Sequence, residues 1–482
     1  MIEAINKSCK KLKHKIYKSP NLPQAGENMN ILLIILDALR PDHLSVYGYG
    51  RNTSPNIDKI AEEGVVFLNA YCTLPRSDPS ITSMLTGNYP YSHGVRMITN
   101  NKVNPSISTL PEILKSHGYR TAFIKPGTIP PEGYNRGFDD YDLVKWKIKN
   151  KIKRGIFNIK NSGNFLGPAV QRFSTAVDWI NKNSHKKFFL VVHTHDLHWP
   201  YPVPKPYDHI FDPNYKGQHT FADLGNGAIS RGDLSFGVKK LPKEEIEHAI
   251  AHYDGGIRYV DESLKSVFDA LKKNNLFDDT LIIIVSDHGE HFDEHGYYFQ
   301  HGASLYEPSI KATFIMRYTK KLPIKRRIES RVQLLDITPT ILEILDIPLI
   351  EEKEGVSLLP LIKNKVAKAR DFVFVEGIEE YFSQHKRIFM KGIKGKWRAI
   401  IVGDWKLIYI PHPEKNIFEL YNLKQDPKEK NNLAEKEPEI FSSLKERLFD
   451  LLKSQSNDGE VNINDLSQKS RQLLIKAGYL EK

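Results

Sequence analysis

The strongest pattern in the chain is a set of short, continuous apolar runs with polar residues on either side. Asn30–Leu36 reads NILLIIL, residues 188–192 read FFLVV and Thr280–Val285 reads TLIIIV. A strand that is buried on both faces has no polar face, so it lacks the alternation of a half-exposed strand. We therefore predict that each run is a strand inside a sheet covered on both sides, and that residues 119–124 add another.

Between these runs the apolar residues recur at helical spacing. Helices are predicted over residues 54–64, 108–114, 169–181 and 244–273, and VVFLNAY, which follows the first of them, is predicted to be another strand. Strands that alternate with helices are typical of α/β proteins. We predict an α/β fold with a largely parallel central sheet and helices on both faces.

The pattern changes in the last quarter of the chain. From about residue 366 the apolar runs are shorter, alternating and rich in aromatic residues, as in WRAIIV (397–402) and WKLIYI (405–410). These runs predict a small antiparallel sheet, followed by a helix over 438–452, and an amphipathic helix is predicted earlier, over 332–345. The resulting plan has a basic tail (1–28), a large domain (29–365) with a long surface loop (202–240), a small α+β domain (366–452) and a C-terminal tail (453–482).

One segment, SDPSITSMLTG (77–87), reads as a loop that turns into a helix. Asp78 is predicted to cap the helix, Pro79 to take its first position and Gly87 to end it. Ser77 would then lie just outside the helix N-terminus, where free N–H groups and the helix dipole stabilise an anion. The position suits a hydroxyl nucleophile or a bound oxyanion, although an ordinary capped helix has the same pattern.

Composition and charge add little about the fold. The 482 residues are 40% hydrophobic and 26% charged, as in an ordinary globular protein, and the net charge is +11. Part of that charge lies in residues 145–154, which hold five lysines and an arginine. Such a run is either a solvated face or a contact for an anionic partner or a membrane surface.

Cellular location is predicted from cysteine content and from the N-terminal residues. Cys9 and Cys72 are the only cysteines, so no disulfide framework is expected. The basic N-terminal segment lacks the apolar run of a signal peptide, and no stretch is long and apolar enough to span a bilayer. We predict a cytoplasmic protein with no nucleic-acid partner, whose basic tail is solvated or rests on a membrane surface.

Polar residues stand where three of the predicted strands end. Asp37 follows the first, the histidines from His193 to His198 follow the second, and Asp287 and His288 follow the third. Ligands bind at the carboxyl ends of strands in an open parallel sheet, so these side chains should converge. Two carboxylates brought together repel unless a cation lies between them. We predict one divalent metal: Ca, Mg or Mn, with Zn as a further candidate.

In this order, the segments resemble the sulfatase family of the alkaline-phosphatase-like superfamily. The matching segments are residues 30–41 (opening strand and metal-binding Asp), 77–87 (nucleophile signature), HTHDLHWPY (193–201), SDHGE (286–290) and HGASLYEPSIKATFI (301–315). The resemblance continues through GDWKLIYI to about residue 449. It implies an alkaline-phosphatase-like fold and the hydrolysis of an anionic sulfate or phosphate ester, of a carbohydrate or a lipid.

The resemblance also implies roles for individual residues. The metal ligands would be Asp37, Ser77, Asp287 and His288. The catalytic group would be Ser77, His198, His301, Lys125 and His93. Ser77 would attack, His198 would protonate the leaving oxygen or orient the ester, and His301 would clamp a nonbridging oxygen. Lys125 and His93 are either further electrostatic groups or ordinary solvated and packing residues.

Three positions depart from the family pattern. Ile81 stands where the signature has the Arg that family members need to convert the signature Cys or Ser to formylglycine. Ala38 replaces the second Asp of the opening pair, and His288 replaces an Asn. Because an Asp, a hydroxyl and an Asp-His pair resemble the phospho-branch of the superfamily, we expect Ser77 to act unmodified, with formylglycine as the alternative.

Other interpretations stay open at this level. A shifted register, with Cys72 as the modified residue and Arg76 as the signature Arg, breaks the spacing to Leu-Thr-Gly. A phosphotransferase that moves a head group onto a glycan or lipid would use the basic segments. A non-catalytic, anion-binding family member would explain Ile81 and Ala38.

Overall fold

The computed structural model describes ten segments of the chain: 29–96, 102–125, 130–142, 168–201, 203–217, 240–302, 304–349, 351–377, 396–411 and 415–454. The predicted basic tail, the basic segment 145–154 and nearly all of the predicted C-terminal tail lie outside the described residues. So do residues 218–239 of the predicted surface loop.

The described segments contain both helices and strands, numbered here in chain order. The strands are β1 Asn30–Leu36, β2 Val65–Phe67, β3 Ala70–Tyr71, β4 Arg120–Ile124, β5 Asp140–Tyr141, β6 Phe188–Thr194, β7 Thr280–Val285, β8 Lys311–Ala312, β9 Phe314–Arg317, β10 Arg326–Ile328, β11 Val332–Gln333, β12 Val373–Glu376, β13 Arg398–Val402, β14 Trp405–Ile410 and β15 Ile417–Asn422. The α-helices are α1 Pro55–Glu62, α2 Ser77–Thr86, α3 Pro90–His93, α4 Leu110–Ser116, α5 Pro168–Asn183, α6 Lys243–Lys273, α7 Glu307–Ile310, α8 Ile337–Ile344, α9 Leu359–Ile362 and α10 Pro438–Ser454. Short 3₁₀ helices lie at Pro41–His43, Ser45–Tyr47, Tyr207–His209, Glu294–Gly296 and Leu334–Asp336.

The largest sheet has the strand order β10-β2-β9-β7-β1-β6-β4-β5. Within it β9 pairs antiparallel with both of its neighbours, and all the other pairs are parallel. The prediction of a largely parallel central sheet is therefore confirmed. A short sheet β11-β3-β8 and a four-stranded antiparallel sheet β12-β13-β14-β15 complete the described strands.

The continuous apolar runs are explained by cores on both faces of the large sheet. Ile31, Leu33 and Ile35 of β1 pack into one core with apolar residues of α2, α4 and α8. Leu32 and Leu36 point to the opposite core, which α1, α5 and α6 cover. Every second residue thus has an apolar environment on its own side, so no position of β1 needs to be polar.

The C-terminal sheet is covered on both faces as well. Val373 and Val375 of β12 face the first core of the large sheet. Phe374, between them, faces α10 through Leu444 and Leu448. The predicted small antiparallel sheet with a following helix is confirmed.

Two helix predictions differ from the structure. The signature helix α2 begins at Ser77 rather than at Pro79, with Arg76 as its N-cap residue and no side-chain cap, so Asp78 lies in its first turn. Its predicted end is correct, since Gly87 follows with a left-handed φ of 70°. The helix predicted over 332–345 is β11, a 3₁₀ turn and α8 in succession. Gln333 causes this break, because it pairs with β3 while its N–H donates to the Asp336 carboxylate at 2.8 Å.

None of the helices in the described segments has both the length and the apolar composition needed to cross a lipid bilayer.

Candidate active site

The register of the central strands brings the predicted ligands together. Ile35 of β1 lies in one row with His193 of β6 and Val285 of β7. Beyond that row, at the carboxyl edge of the sheet, Asp37 follows β1 and Asp287 follows β7, so the two residues lie side by side. The convergence expected at this edge is therefore observed.

Asp37 is fully buried, and imidazoles surround it. Its Oδ2 lies 2.9 Å from His195 Nε2 and 3.4 Å from His193 Nε2. Its Oδ1 has no hydrogen-bond partner. Burial alone would raise the pKa of Asp37, but the positive charge available on His195, His193 and His198 outweighs it and holds that pKa well below its usual value. Asp37 is therefore a carboxylate.

Asp287 and His288 are held by the backbone. Asp287 Oδ1 accepts the N–H groups of Ala38 at 3.2 Å and of His288 at 3.0 Å, whereas its buried Oδ2 has no hydrogen-bond partner. His288 Nδ1 lies 2.8 Å from the carbonyl oxygen of Gly289. A carbonyl only accepts, so Nδ1 carries the proton and Nε2 presents its lone pair to the carboxylates.

Gly289 is packed too tightly for a side chain. A Cβ added there would lie 2.0 Å from the carbonyl oxygen of Pro308. The Gly289 N–H also donates to the carbonyl of Ser309 at 2.9 Å. The backbone that orients His288 is thus packed directly against α7, to which Pro308 and Ser309 belong.

Ser77 stands next to these ligands at the start of α2. Its Oγ donates to Asp37 Oδ2 at 3.1 Å and lies 3.5 Å from His288 Nε2. Ser80, one turn further along, donates to the Asp287 carbonyl at 2.6 Å and so fixes the helix against the end of β7. The half-buried hydroxyl of Ser77 therefore lies at a helix N-terminus that faces the two carboxylates.

This arrangement fits a divalent cation. Asp37, Asp287 and His288 offer ligand atoms that lie within 4.8 Å of one another, all on fully buried residues. An oxygen of each carboxylate lacks a hydrogen-bond partner, which is costly for a buried charge unless a cation supplies the missing interaction. Two carboxylates and one imidazole make an oxygen-rich donor set.

His198 and His301 lie beside this cluster. The His301 ring stacks on His288 with 4.0 Å between centroids and meets the His198 ring at 5.0 Å. His301 Nδ1 donates to Glu290 Oε1 at 3.0 Å, and His198 Nδ1 donates to the Trp199 carbonyl at 2.7 Å. Burial, together with the nearby His288 and His198, holds the pKa of His301 well below its usual value.

Lys125 and His93 have different surroundings. Lys125 is buried where β4 ends, and burial lowers the pKa of its ammonium although Asp142 and Asp78 act in the opposite direction. His93 is not brought to the cluster: its Nε2 donates to Ser83 Oγ at 2.9 Å and its Nδ1 accepts the N–H of Val95 at 3.1 Å. Burial lowers the pKa of His93 to about 3, so it is a neutral packing residue at neutral pH.

The shifted register finds no support in these surroundings. Cys72 is fully buried in the hydrophobic core, and burial raises the pKa of its thiol well above the usual value, so the reactive thiolate is suppressed. Ile81, at the signature Arg position, lies in the same core.

Three groups near the cluster have no role in the family pattern given above: His193, His195 and Asp78. The two-residue spacing of the histidines at a strand end was the available signal, since it puts both side chains on one face. Asp78 follows the predicted nucleophile, and burial raises its pKa to about 6 despite the nearby Lys125 and His195. It was interpreted only as a helix cap.

Comparison with known proteins bears on this site. The family model described as "Sulfatase" matches residues 29–347, and the model "N-sulphoglucosamine sulphohydrolase, C-terminal" matches residues 293–455. A Δ4,5-hexuronate-2-O-sulfatase of Bacteroides thetaiotaomicron is 25% identical over 446 residues, which cover 88% of this chain and 88% of that protein. Arylsulfatase K of Rattus norvegicus is 27% identical, over 88% of this chain and 78% of that protein.

Solved structures share the fold. One, in complex with its substrate D-glucosamine-2-N,6-O-disulfate, has a TM-score of 0.71 at 21% identity and covers 90% of this chain and 99% of its own. The phosphonate monoester hydrolase of Agrobacterium radiobacter also has a TM-score of 0.71, at 20% identity, and covers 89% of this chain and 96% of its own. The sulfatase model alone spans well over half of the sequence. The chain therefore belongs to the sulfatase family of ester hydrolases.

Proposed function

We propose that this chain hydrolyses a sulfate or phosphate ester of a carbohydrate, with Ser77 as its nucleophile and a divalent cation held by Asp37, Ser77, Asp287 and His288. The observation that carries the proposal is the position of Ser77 Oγ, 3.1 Å from Asp37 Oδ2 and 3.5 Å from His288 Nε2. The Ser77 hydroxyl thus lies against both of these ligands at once. Ca, Mg and Mn suit the oxygen-rich donors, and Zn is a further candidate.

The residues of the chain divide the reaction between them. Ser77 Oγ attacks the sulfur or phosphorus atom, and the bond from that atom to the leaving oxygen breaks. The proton of the Ser77 hydroxyl passes to solvent, and His198 donates a proton to the leaving oxygen. His198 then takes a proton from the water that displaces the group from Ser77, and the serine oxygen regains a proton from solvent to become the hydroxyl again. His301, positioned by Glu290, holds a nonbridging oxygen in place. When bound, the cation neutralises oxygen charge and favours the alkoxide form of a serine.

Ser77 is proposed to act without modification. Ile81 supports this, because the position where family members carry the Arg required for formylglycine is here packed in the hydrophobic core. Mass spectrometry of the peptide over residues 71–96 tests it. An unmodified Ser77 is expected, whereas a mass lower by two hydrogens would establish formylglycine and favour a sulfate ester as the substrate.

The substrate class is proposed from the relatives. The relatives include a hexuronate-2-O-sulfatase, and one structural neighbour holds a sulfated glucosamine. The phosphonate monoester hydrolase is the reason to keep phosphorus esters beside sulfate. From the low cysteine count we also propose a cytoplasmic location.

The decisive variant is Ser77→Ala, assayed on an aryl sulfate and an aryl phosphate. We expect kcat/KM to fall by at least about 10⁴-fold on the ester that the wild type cleaves, since the nucleophile is lost. Ser266→Ala, which removes a hydroxyl bonded only to a carbonyl of its own helix α6, is the matched control and should keep full activity. Substantial activity in a folded Ser77→Ala variant would refute the assignment of the nucleophile.

A further inference from the structure

Asp78, the residue directly after Ser77, has no part in the reaction proposed above. It lies in the first turn of α2 and is half-buried. Its backbone carbonyl accepts the Thr82 hydroxyl at 2.6 Å, but within the described segments its carboxylate makes neither a hydrogen bond nor an ion pair. A carboxylate without a partner therefore lies beside the proposed nucleophile.

The sheet order shows which strands lie on this side of the site. Asp37 and Asp287 follow β1 and β7, whereas β4 and β5 lie beyond β6 on the other side. Neighbouring strands are about 4.8 Å apart, so the carboxyl end of β4 lies about 10 Å from that of β1. Lys125 follows β4, and its Nζ lies 5.9 Å from the centre of the Tyr141 ring in β5.

Electrostatic effects place Asp78 against these residues. Burial raises the pKa of both Tyr134 and Tyr141, and the negative charge of Asp78 raises both further. Burial lowers the pKa of Lys125, and Asp142 and Asp78 oppose that shift. Asp78 therefore faces the ends of β4 and β5, and we call Asp78, Tyr134 and Tyr141 the β4–β5 subsite.

Tyr141 supplies a second polar group without a partner. Its hydroxyl is buried and makes no hydrogen bond with any part of the chain that the structure describes. Buried polar groups are normally hydrogen-bonded. Because a carboxylate accepts hydrogen bonds and a phenol hydroxyl both donates and accepts them, Asp78 and Tyr141 together match a ligand that carries hydroxyls.

The charge of Asp78 determines which part of the substrate it can contact. A sulfate or phosphate group is anionic, so a neighbouring carboxylate repels it. That group is proposed to lie at Ser77 and the cation, which leaves the alcohol part of the ester for Asp78. In a carbohydrate ester the alcohol part carries several hydroxyls, and a hydroxyl that donates to a carboxylate makes a strong, charge-assisted hydrogen bond.

We propose that Asp78 is a specificity-determining residue, whose carboxylate accepts hydrogen bonds from hydroxyls in the sugar part of the ester. This inference rests on the proposed function and adds to it, because it assigns the β4–β5 subsite to the alcohol part of the substrate. An alcohol of the same size without hydroxyls would leave Asp78 and Tyr141 unpaired in the complex. A site built to bind a substrate hydroxyl discriminates strongly against an analogue that lacks it.

Matched substrates test the proposal on the full-length protein. D-Glucosamine 6-sulfate and D-glucose 6-phosphate are compared with cyclohexylmethyl sulfate and cyclohexylmethyl phosphate, which keep the six-membered ring and the primary ester oxygen but have no hydroxyls. The measured quantity is kcat/KM for the sugar ester divided by kcat/KM for its hydroxyl-free counterpart. For the wild type we expect a ratio of at least about 100.

Variants of Asp78 should change this ratio in a graded way. Asp78→Ala should lower it by about 100-fold, and Asp78→Asn by about 10-fold, because the amide oxygen still accepts a hydrogen bond but carries no charge. Asp269→Ala removes an exposed carboxylate on α6 that is paired with Lys265, and this matched control should keep the wild-type ratio. Circular dichroism checks that each variant is folded.

The ratio separates substrate recognition from a structural role. If Asp78 only stabilised α2, its variants would lower both kcat/KM values alike and leave the ratio unchanged, which would overturn the proposal. A wild type that cleaves an aryl ester but shows no preference for the sugar esters would also overturn it, while the assignment of Ser77 would stand. A wild type that cleaves none of these esters would remove both proposals.

Discussion

Glu376 in β12 and Asp37 at the end of β1 are both fully buried carboxylates, but their negative charges have different kinds of partner. Arg96 donates to both oxygens of Glu376, at 3.2 and 2.6 Å, and Arg398 lies 3.6 Å away. Burial raises the pKa of Glu376, but these arginines outweigh it and hold the pKa at about 2. Asp37 has imidazoles as its ion-pair partners and an oxygen without a hydrogen bond.

Glu376 belongs to a structural ion pair, whereas the site around Asp37 and Asp287 depends on a cation from solution. At Glu376 the permanent countercharge is part of the chain, so folding completes the pair. At Asp37 and Asp287 the described partners are backbone N–H groups, a serine and histidines, none of which carries a permanent positive charge. Stability should therefore respond to changes around Glu376, and cation binding to changes around Asp37.

The largest effect should be a loss of activity when the site around Asp37 and Asp287 is disrupted. Asp287→Asn keeps the side-chain shape and removes one charge from the cation. We expect kcat/KM to fall by about 10³-fold on the cleaved aryl ester. Urea unfolding of the chelated proteins should show little loss of stability. A variant that retains activity, or that loses it only because it unfolds, would contradict the comparison.

The second-largest effect should be a loss of stability when the ion pair between Arg96 and Glu376 is broken. Arg96→Met removes the bidentate donor and leaves Glu376 buried with the charges of Arg398 and Lys396. We expect the free energy of unfolding to fall by about 3 kcal/mol, measured with urea. Metal content should not change. Unaltered stability would show that Arg398 and Lys396 suffice, and lost metal would show that the two regions are coupled.

The smallest effect should be a pH dependence that belongs to Glu376 alone. Its pKa in the folded protein lies below the ordinary value, so its contribution to stability is complete above the ordinary pKa and is lost as the pH falls toward about 2. Between about pH 5 and about pH 3 this amounts to about 2 kcal/mol. Glu376→Gln should be less stable at neutral pH and should lack this part of the acid dependence in urea titrations at several pH values. Parallel curves for the two proteins would refute the pairing.

The central strands could be predicted from the sequence because a strand buried on both faces consists almost entirely of apolar residues. Asn30–Leu36 and Thr280–Val285 form strands with the predicted bounds. The start of α2 was displaced by two residues because Asp78 does not cap the helix, and the Ser77 hydroxyl turns to Asp37 instead of a backbone N–H. That partner lies 40 residues away in sequence, so no local pattern contains it.

In the candidate site, too, a local sequence pattern identifies some residues, whereas the contacts of others depend on the tertiary structure. Asp37, Asp287 and His288 follow apolar runs, so the end of a strand identifies them. The relation of His193 to Asp37 depends on β6 lying beside β1, which is a property of the sheet order. His93 was a candidate because it follows the signature, yet its side chain is bonded to Ser83 in the signature helix α2 and not to the cluster.

At this site, sequence constraint should extend to Gly289, beyond the residues proposed to bind the cation. It contributes no side chain, yet its carbonyl fixes the proton of His288 and a Cβ would collide with the carbonyl of Pro308. Any other residue at position 289 would displace the backbone that orients the His288 imidazole. In diverging copies of this gene, loss of the glycine should therefore accompany loss of the metal, which makes it a marker for copies that have abandoned catalysis.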